Sequence, residues 1–448
     1  MSKIIDAVSL VLTCGDEIFA IQRQFFLKAF PGYWAFPGGK VEAQDEAFSL
    51  EHPLTKDIDH RLLGAAFREG QEELGIDFRS HVQSGTIRSI SYLGLATTPD
   101  FNPYRFATYF FKIDFKNKIE FIVDENEARI AKWICAKDLL EEFNQGQILA
   151  VPPVVKVIET LGNHPEITKI DELNFNYDGN DFVPYIESIR GMPQLMPLSH
   201  TLPPATRTNA FIVGDIGCPR ILIDPSPIDE EEYRKFKNTV AIFGADKILL
   251  THHHPDHYER SNLLARELNI PIMLSQYTRE RIVRIQSDYF DGIKTEILNE
   301  GDVVTQWLSR DVLVMNIPGH DEGQIAVYPS DLSWFLAGDL FQGIGTVVIG
   351  GEAGNMQKYF STLERIIKLS PKVVFPSHGI GLGGTNILEK TLEHRRLREV
   401  QVYEHFKNGD SPEAMLTKIY ADIRKDLWPY ALENINKHLE KLKAEGKI

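Results

Sequence analysis

Cysteine is scarce in this chain. There are 3, Cys14, Cys135 and Cys218, far apart and in no Cys-x-x-Cys pattern. That excludes a disulfide framework and points to free thiols in a reducing, cytoplasmic setting. Long apolar runs are also missing. No stretch reaches the about 18 apolar residues of a membrane-spanning helix, so no membrane partner is expected. Residues Met1 to Gly15 lack a basic region followed by a long apolar one. Ala7 to Thr13 has the length of a strand and sits between Asp6 and Asp16, which argues against a signal peptide. Positive charge is short: 48 Lys and Arg stand against 63 Asp and Glu, a net charge of -15. A surface of that balance does not hold nucleic acid by bulk electrostatics. No internal repeat is visible. What remains is a globular composition, 43% hydrophobic and 25% charged, over 448 residues, enough for two or three domains with full cores.

The most informative stretch is Thr251-His252-His253-His254-Pro255-Asp256-His257-Tyr258. It follows the apolar run Lys247-Ile248-Leu249-Leu250. A strand ending in such a cluster brings imidazoles and a carboxylate to one point, and these are the ligands zinc prefers. Packing so many titratable groups together costs solvation unless a metal or a wet cleft receives them. The plain alternative is an exposed His-rich loop. Three further clusters weigh against it: Pro318-Gly319-His320, Ala337-Gly338-Asp339 and Pro376-Ser377-His378-Gly379. Each follows an apolar run, and each sets one His or Asp beside a glycine that permits a sharp turn.

These four clusters in this order resemble the metallo-β-lactamase fold superfamily of binuclear hydrolases, over roughly residues 195 to 385. The resemblance implies that His252, His254 and His320 hold one metal. Asp256, His257 and His378 would hold the second, and Asp339 would bridge them. The metals would be two zinc ions, with iron or manganese as alternatives. His320 lies 66 positions after His254, and Asp339 lies 19 after His320, both ordinary for the family. Asp256 would also orient the attacking nucleophile. Asp224 follows the apolar Ile221-Leu222-Ile223 and is read as structural, supporting the ligands from outside.

Nearer the start comes Phe36-Pro37-Gly38-Gly39-Lys40-Val41-Glu42, and later Arg68-Glu69-Gly70-Gln71-Glu72-Glu73-Leu74-Gly75. The second piece is helical in pattern. It places Glu69, Glu72 and Glu73 at i, i+3 and i+4 on one face. Crowded carboxylates repel unless a hard cation sits among them, although an exposed acidic helix face gives the same pattern. Together the two pieces resemble the halves of the Nudix box. The resemblance implies magnesium or manganese held by Glu69, Glu72 and Glu73, with Glu72 and Glu73 serving catalysis. Gly39 would lend its carbonyl to the site, and Arg68 would be structural, pairing with a carboxylate to tie loop to helix. There are 28 residues between Gly39 and Arg68, more than the box usually has. That implies an insertion from about Ala43 to Gly64 and leaves the box's first acid open among Glu42, Asp45 and Glu46. Gly70 replaces a usually apolar residue and is expected to weaken the helix by about 1 kcal/mol relative to Ala.

The expected architecture is α/β throughout. A Nudix α/β/α sandwich covers 1–165 and a linker rich in Gly, Pro, Asn and Asp covers 166–194. A metallo-β-lactamase αβ/βα sandwich covers 195–385. A small helical, winged-helix-like domain covers 386–448. Expected elements include a strand from Tyr104 to Phe115 and helices at Asp229 to Phe243, Arg260 to Leu268 and Met356 to Leu369. A helical segment opens at His394, followed by Pro412 to Ile423 and Ala431 to Ala444. Trp133 is read as core, and Glu127 as a solvated charge or a further ligand. Residues 394–448 carry 11 Lys/Arg and 9 Asp/Glu, a balance of +2, which favours a structural cap over a DNA reader. Arg395 and Arg398 are open between two roles: gripping a phosphate-bearing substrate, or tying this module to the preceding domain. The implied substrates are small molecules: an acyl thioester, a nucleotide diphosphate or a coenzyme A derivative. RNA stands as the alternative for the zinc half.

Overall fold

The computed structural model describes residues 4–99, 105–174 and 178–448. Tyr104, the expected start of a strand, lies outside the described residues. The chain divides into two compact units. One holds the residues up to Tyr177 together with Ile186–Arg190, and the other holds Asp178–Tyr185 and Gly191–Ile448.

The first unit is built on one mixed sheet. Ile5–Cys14 runs at its centre, parallel to Phe106–Phe115 and antiparallel to Glu17–Arg23. Ile87–Thr97 pairs with Phe106–Phe115, and Ala128–Cys135 pairs with Glu17–Arg23. Period-2 alternation along Phe106–Phe115 sends Phe111, Ile113 and Phe115 to one face and Phe110 to the other. The His60–Leu74 helix covers the first face through Leu62, Leu63, Ala66 and Phe67. The Ala136–Asn144 and Pro152–Asn163 helices cover the second through Leu139, Val157 and Ile158. This is the expected α/β/α sandwich, and Trp133 packs against the first face as expected.

Two boundaries differ. Asp59 caps the helix by accepting from Arg61 N (2.8 Å), so the helix begins at His60, inside the stretch expected as an insertion. Gly64 lies inside the helix, where a Cβ would stand 2.6 Å from the Asp45 carbonyl. The expected linker is not a free strand of chain either. Ile170 N donates to Leu93 O (2.6 Å), and Ile170 and Leu173 enter the second-face core.

The second unit carries two sheets. In the first, Ile221–Ile223, Lys247–Leu249, Ile272–Leu274 and Thr295–Ile297 run parallel, backed by the helices Glu230–Phe243, Ser261–Leu268 and Gln276–Ile285. The second has 6 strands, from Val303–Trp307 to Leu382–Gly383. Its helices are Met356–Leu369 and the front half of Asn386–Lys407. Phe211 of one sheet meets Phe375 of the other edge-on, ring centres 5.7 Å apart. The layering is the expected αβ/βα sandwich.

Asn386–Lys407 begins earlier than the His394 start read from sequence. Its front half gives Leu388 and Leu392 to the sandwich core, and its rear half gives Val402 to a small core with Met415, Leu416, Ala431 and Ile435. The Pro412–Ile419 and Trp428–Ala444 helices complete that module, and no strand follows Gly383 among the described residues. Among the described residues no helix is long and apolar enough to cross a membrane.

Candidate active sites

The Lys247–Leu249 strand is a short buried β segment, and its carboxyl end releases Thr251 and His252 into the space between the sheets. Pro255, at the first position of a short helix to Tyr258, turns the chain so that Asp256 and His257 face back. One buried carboxylate orders this arrangement. Asp224 accepts from Thr251 N (2.8 Å) and Thr251 Oγ1 (2.6 Å), and its Oδ2 also accepts from His257 Nδ1 (2.8 Å). With its proton given to Asp224, Thr251 Oγ1 accepts from His252 Nδ1 (3.0 Å). Both imidazoles therefore present Nε2 inward. Asp224 holds this post with φ 51, in the left-handed region, a strained conformation that its hydrogen bonds stabilise.

The other sheet supplies the remaining groups. His320 follows Gly319, whose φ of 141 and closeness to Tyr359 (a Cβ would stand 2.3 Å from its Cα) admit only glycine. His320 Nδ1 donates to Val348 O (2.8 Å), and His378 Nδ1 donates to Arg207 O (2.9 Å). A carbonyl can only accept, so each tautomer is fixed with Nε2 free to face the centre.

Three nitrogens converge. His254 Nδ1 lies 3.1 Å from His252 Nε2 and 2.9 Å from His320 Nε2. On the other side Asp256 Oδ2 lies 3.7 Å from His257 Nε2 and 3.5 Å from His378 Nε2. Asp339 stands between, with Oδ2 3.6 Å from His320 Nε2 and Oδ1 3.7 and 3.5 Å from His257 and His378. These gaps exceed a direct hydrogen bond. His257 Nε2 and Asp339 Oδ1 are buried and have no hydrogen-bond partner among the described residues. Buried polar atoms of native proteins are normally satisfied, so a converging nitrogen and oxygen set with orphaned atoms fits divalent metal. The structure brings together all seven residues named from sequence, in sets whose ligand atoms lie within 4.8 Å of one another.

Charge is divided across this centre. Burial, and then the neighbouring imidazoles, hold His252 well below the ordinary histidine value. Burial and His320 bring His254 down to about 3. Burial also depresses His257, but Asp256, Asp339 and Asp224 outweigh it and hold the ring well above its ordinary value. His378 is raised against its burial by Asp339. Asp339 in turn is held well below its usual range because His378 and His257 outweigh burial.

Sequence reasoning passed over one pair. The buried His253 and Asp321 are in direct contact through Nδ1 and Oδ2. Their only signal was position, each adjoining a candidate ligand.

In the first unit, the expected acidic face splits. Glu73 Oε2 accepts from Gly38 N (2.8 Å), and Gly39 lies so close to Glu69 that a Cβ would stand 2.4 Å from Oε1. Glu72 stays exposed. The Gly39 carbonyl accepts from Val8 N (2.8 Å). Arg68 binds Asp45 through Nε (3.0 Å) and Nη2 (3.1 Å), Glu69 (2.8 Å), Glu72 (2.9 Å) and the Lys40 carbonyl (2.7 Å). Among Glu42, Asp45 and Glu46, the residue facing Arg68 is Asp45. Burial pushes Glu73 up to about 8 against the Gly38 hydrogen bond. Burial likewise raises Glu69 despite Arg68. Buried carboxylates with raised pKa values facing a glycine turn fit a hard cation. Glu127 lies 3.7 Å from Arg23 and is partly exposed.

Arg395 ties its module to the preceding domain, the second of its two open roles, whereas Arg398 makes its contacts inside its own module. Arg395 is 2% exposed. Its guanidinium donates to Asn434 Oδ1 (3.1 Å) and to the Val347 carbonyl, which leaves it no reach to a substrate. Arg398 donates to Gln401 and to the Ile419 carbonyl (both 3.0 Å) and lies over the Tyr420 ring. In both, a backbone carbonyl takes up the guanidinium, Val347 for Arg395 and Ile419 for Arg398.

The sequence matches the NUDIX domain over residues 3–152, the Metallo-beta-lactamase superfamily over 204–378 and the Beta-lactamase associated winged helix domain over 411–448. A Drosophila melanogaster protein named Beta-lactamase-like protein 2 homolog is 28% identical over 257 residues, 54% of this chain and 84% of that protein. The Hydroxyacylglutathione hydrolase of Bdellovibrio bacteriovorus is 32% identical over 129 residues, 28% of this chain and 46% of its own length. A solved Beta-lactamase domain protein from Burkholderia ambifaria is 19% identical, covering 60% of this chain and 90% of its own, with a TM-score of 0.49. This chain joins a NUDIX domain, a metallo-beta-lactamase superfamily domain and a beta-lactamase associated winged helix domain, and the first two belong to hydrolase families.

Proposed function

We propose that the second unit hydrolyses a small acyl thioester at a binuclear zinc centre, with iron or manganese as alternative metals. His252, His254 and His320 hold one ion, Asp256, His257 and His378 the other, and Asp339 both. When bound, such ions supply Lewis acidity and lower the pKa of water. The chain's own groups do the rest. Asp256, within 3.3 Å of the Thr208 hydroxyl, turns Oδ2 inward to orient the attacking water. Asp224, Val348 O and Arg207 O keep protons on the outer imidazole nitrogens. The carrying observation is Asp339, which divides its two oxygens between the two sets while one of them stays buried and unpaired. The thioester class is favoured by the likeness to a hydroxyacylglutathione hydrolase and by the net charge of -15, which opposes a long polyanion.

The test is turnover of S-acyl glutathiones, acyl coenzyme A and RNA by the full chain loaded with zinc. Thioester cleavage lost in Asp256→Ala is expected. RNA cleavage without thioester turnover reverses the substrate assignment, and full activity in Asp256→Ala removes the metal assignment.

For the first unit we propose a diphosphatase acting on a nucleotide diphosphate or coenzyme A derivative, with magnesium or manganese at Glu69, Glu72 and Glu73. The seating of Glu69 and Glu73 against the Gly38-Gly39 turn supports it. Magnesium-dependent release of nucleotide monophosphate should be impaired in Glu72→Gln while zinc-site turnover is unchanged. No cleavage of any diphosphate by wild type would make this half a binding domain.

A further inference from the structure

His320 owes its tautomer to one carbonyl, that of Val348. Residues 345–350 have no regular secondary structure, so something else must aim that carbonyl. The side chains of Val347 and Ile349 are buried in the sandwich core. Apolar contacts fix how deep the segment sits but not the rotation of its peptide planes, because they are non-directional. The direction comes from the C-terminal module. Ile349 N donates to Asn434 Oδ1 (2.9 Å), Arg395 donates to the Val347 carbonyl, and Gly351 N donates to Glu433 Oε2 (3.1 Å).

The first of these bonds matters most. Val348 C=O and Ile349 N–H belong to one peptide unit, which is planar and trans, so the two groups point in opposite directions. Asn434 grips one side of this plane and His320 reads the other. The Asn434 amide is itself oriented: Oδ1 also accepts from Arg395 Nη1 (3.1 Å), and Nδ2 donates to Tyr430 O (3.1 Å). Asn434, Arg395, Val347 and Ile349 are all buried, so the relay works without competition from water.

We propose that the C-terminal helical module is a working part of the metal centre, with Asn434 the positioning residue for His320 and Arg395 fixing Asn434. This rests on the reading of His320 as a metal ligand. Outer partners that orient a ligating histidine change metal affinity or activity by roughly 10–100-fold when lost.

The experiment uses the full chain substituted with cobalt(II), reading its visible absorption and its metal retention against a chelator. Circular dichroism and the thermal midpoint report folding. Asn434→Leu fills the space but cannot accept from Ile349 N. It should weaken retention of one metal equivalent by about 10–100-fold and alter the absorption. Asn434→Asp keeps an acceptor and should restore both. Should Asn434→Leu fail to fold, Asn434→Ser, too short to reach Ile349 N, carries the same expectation. A folded Asn434→Leu or Asn434→Ser with wild-type absorption and retention overturns the proposal. So does an Asn434→Asp variant as impaired as Asn434→Leu. His320→Ala separates the two levels: if it keeps two equivalents of metal, the ligand reading has failed. If it loses one and Asn434→Leu does not, the relay has failed.

Discussion

The imidazoles and carboxylates of the histidine centre face one another and are hydrogen-bonded outward to Thr251, Thr208, Asp224 and backbone carbonyls. The carboxylates of the first unit are threaded by Arg68, which touches Asp45, Glu69 and Glu72 at once. In the histidine centre, charge is balanced from within, and each histidine other than His254 is held from behind by an oxygen acceptor or a buried Asp. In the acidic site an arginine does the balancing, so the loop and helix stay together without a cation. A preorganised set of imidazoles and carboxylates with orphaned buried atoms binds metal tightly and keeps it. Carboxylates already neutralised by a guanidinium exchange their cation with solution. The histidine centre should purify with its metal, and the acidic site should need it added.

The sharpest way to break this contrast is at Asp339. Asp339→Asn leaves an acceptor but removes the charge facing His257 and His378. Zinc-site turnover should fall below detection, beyond the roughly 100-fold ceiling of an outer-shell change. Elemental analysis should show fewer than two equivalents of metal, while magnesium-dependent activity is unchanged. Two retained equivalents would return Asp339 to a structural role. A smaller loss is expected at Asp224. One Asp224 oxygen accepts from both His257 Nδ1 and the Thr251 hydroxyl and the other from Thr251 N, so Asn keeps the first pair only by turning its amide N–H toward the Thr251 N–H, donor against donor. Turnover should drop about 10–100-fold with the metal largely kept.

These two effects mark what sequence can and cannot reveal. The candidate ligands are legible because a strand, a glycine turn and a His or Asp repeat locally, within a few residues each time. Their supports are not. His320 depends on a carbonyl 28 positions later and His378 on one 171 positions earlier. A backbone carbonyl leaves no mark in a sequence. The sandwich layers followed from alternation and period, and Met356–Leu369 lies where its pattern places it. Asn386–Lys407 was read short because its two halves feed different cores, which blurs any single apolar stripe. Arg395 stays open between two roles in the sequence because nothing local reveals that its partners are Asn434 and the Val347 carbonyl.

The acidic site offers a pH signature that one substitution can isolate. Burial raises Glu73 from 4.5 to about 8. Between those values the folded chain holds a proton that the unfolded chain has released, so stability falls as pH rises through this window. Glu73→Gln removes the linkage and keeps an oxygen for Gly38 N. Without added divalent ions, urea unfolding of the first unit should match wild type near pH 4.5. Above pH 8 the variant should be the more stable, by a few kcal/mol at about 1.4 kcal/mol per pKa unit. Magnesium should stabilise wild type at high pH and not the variant. Parallel pH profiles for the two proteins would show that Glu73 titrates normally.

The smallest effect has the most informative sign. Helix propensity alone says that Gly70→Ala stabilises the His60–Leu74 helix by about 1 kcal/mol. Packing says the opposite. A Cβ on Gly70 would stand 2.1 Å from Phe78 Cε2. That ring is fully buried and wedged between Phe67 and Phe115, at centroid distances of 5.4 and 6.4 Å, so it has nowhere to swing. Overpacking of this kind costs typically 1–3 kcal/mol, enough to outweigh the gain. Gly70→Ala should therefore lower the urea midpoint of the first unit, with a net loss of up to about 2 kcal/mol of unfolding free energy. Because Glu69 and Glu73 ride the same helix, it should also weaken magnesium dependence while the zinc content of the second unit holds. A stabilised Gly70→Ala would mean that Phe78 yields, and that the glycine reflects neither packing nor the seating of the carboxylates.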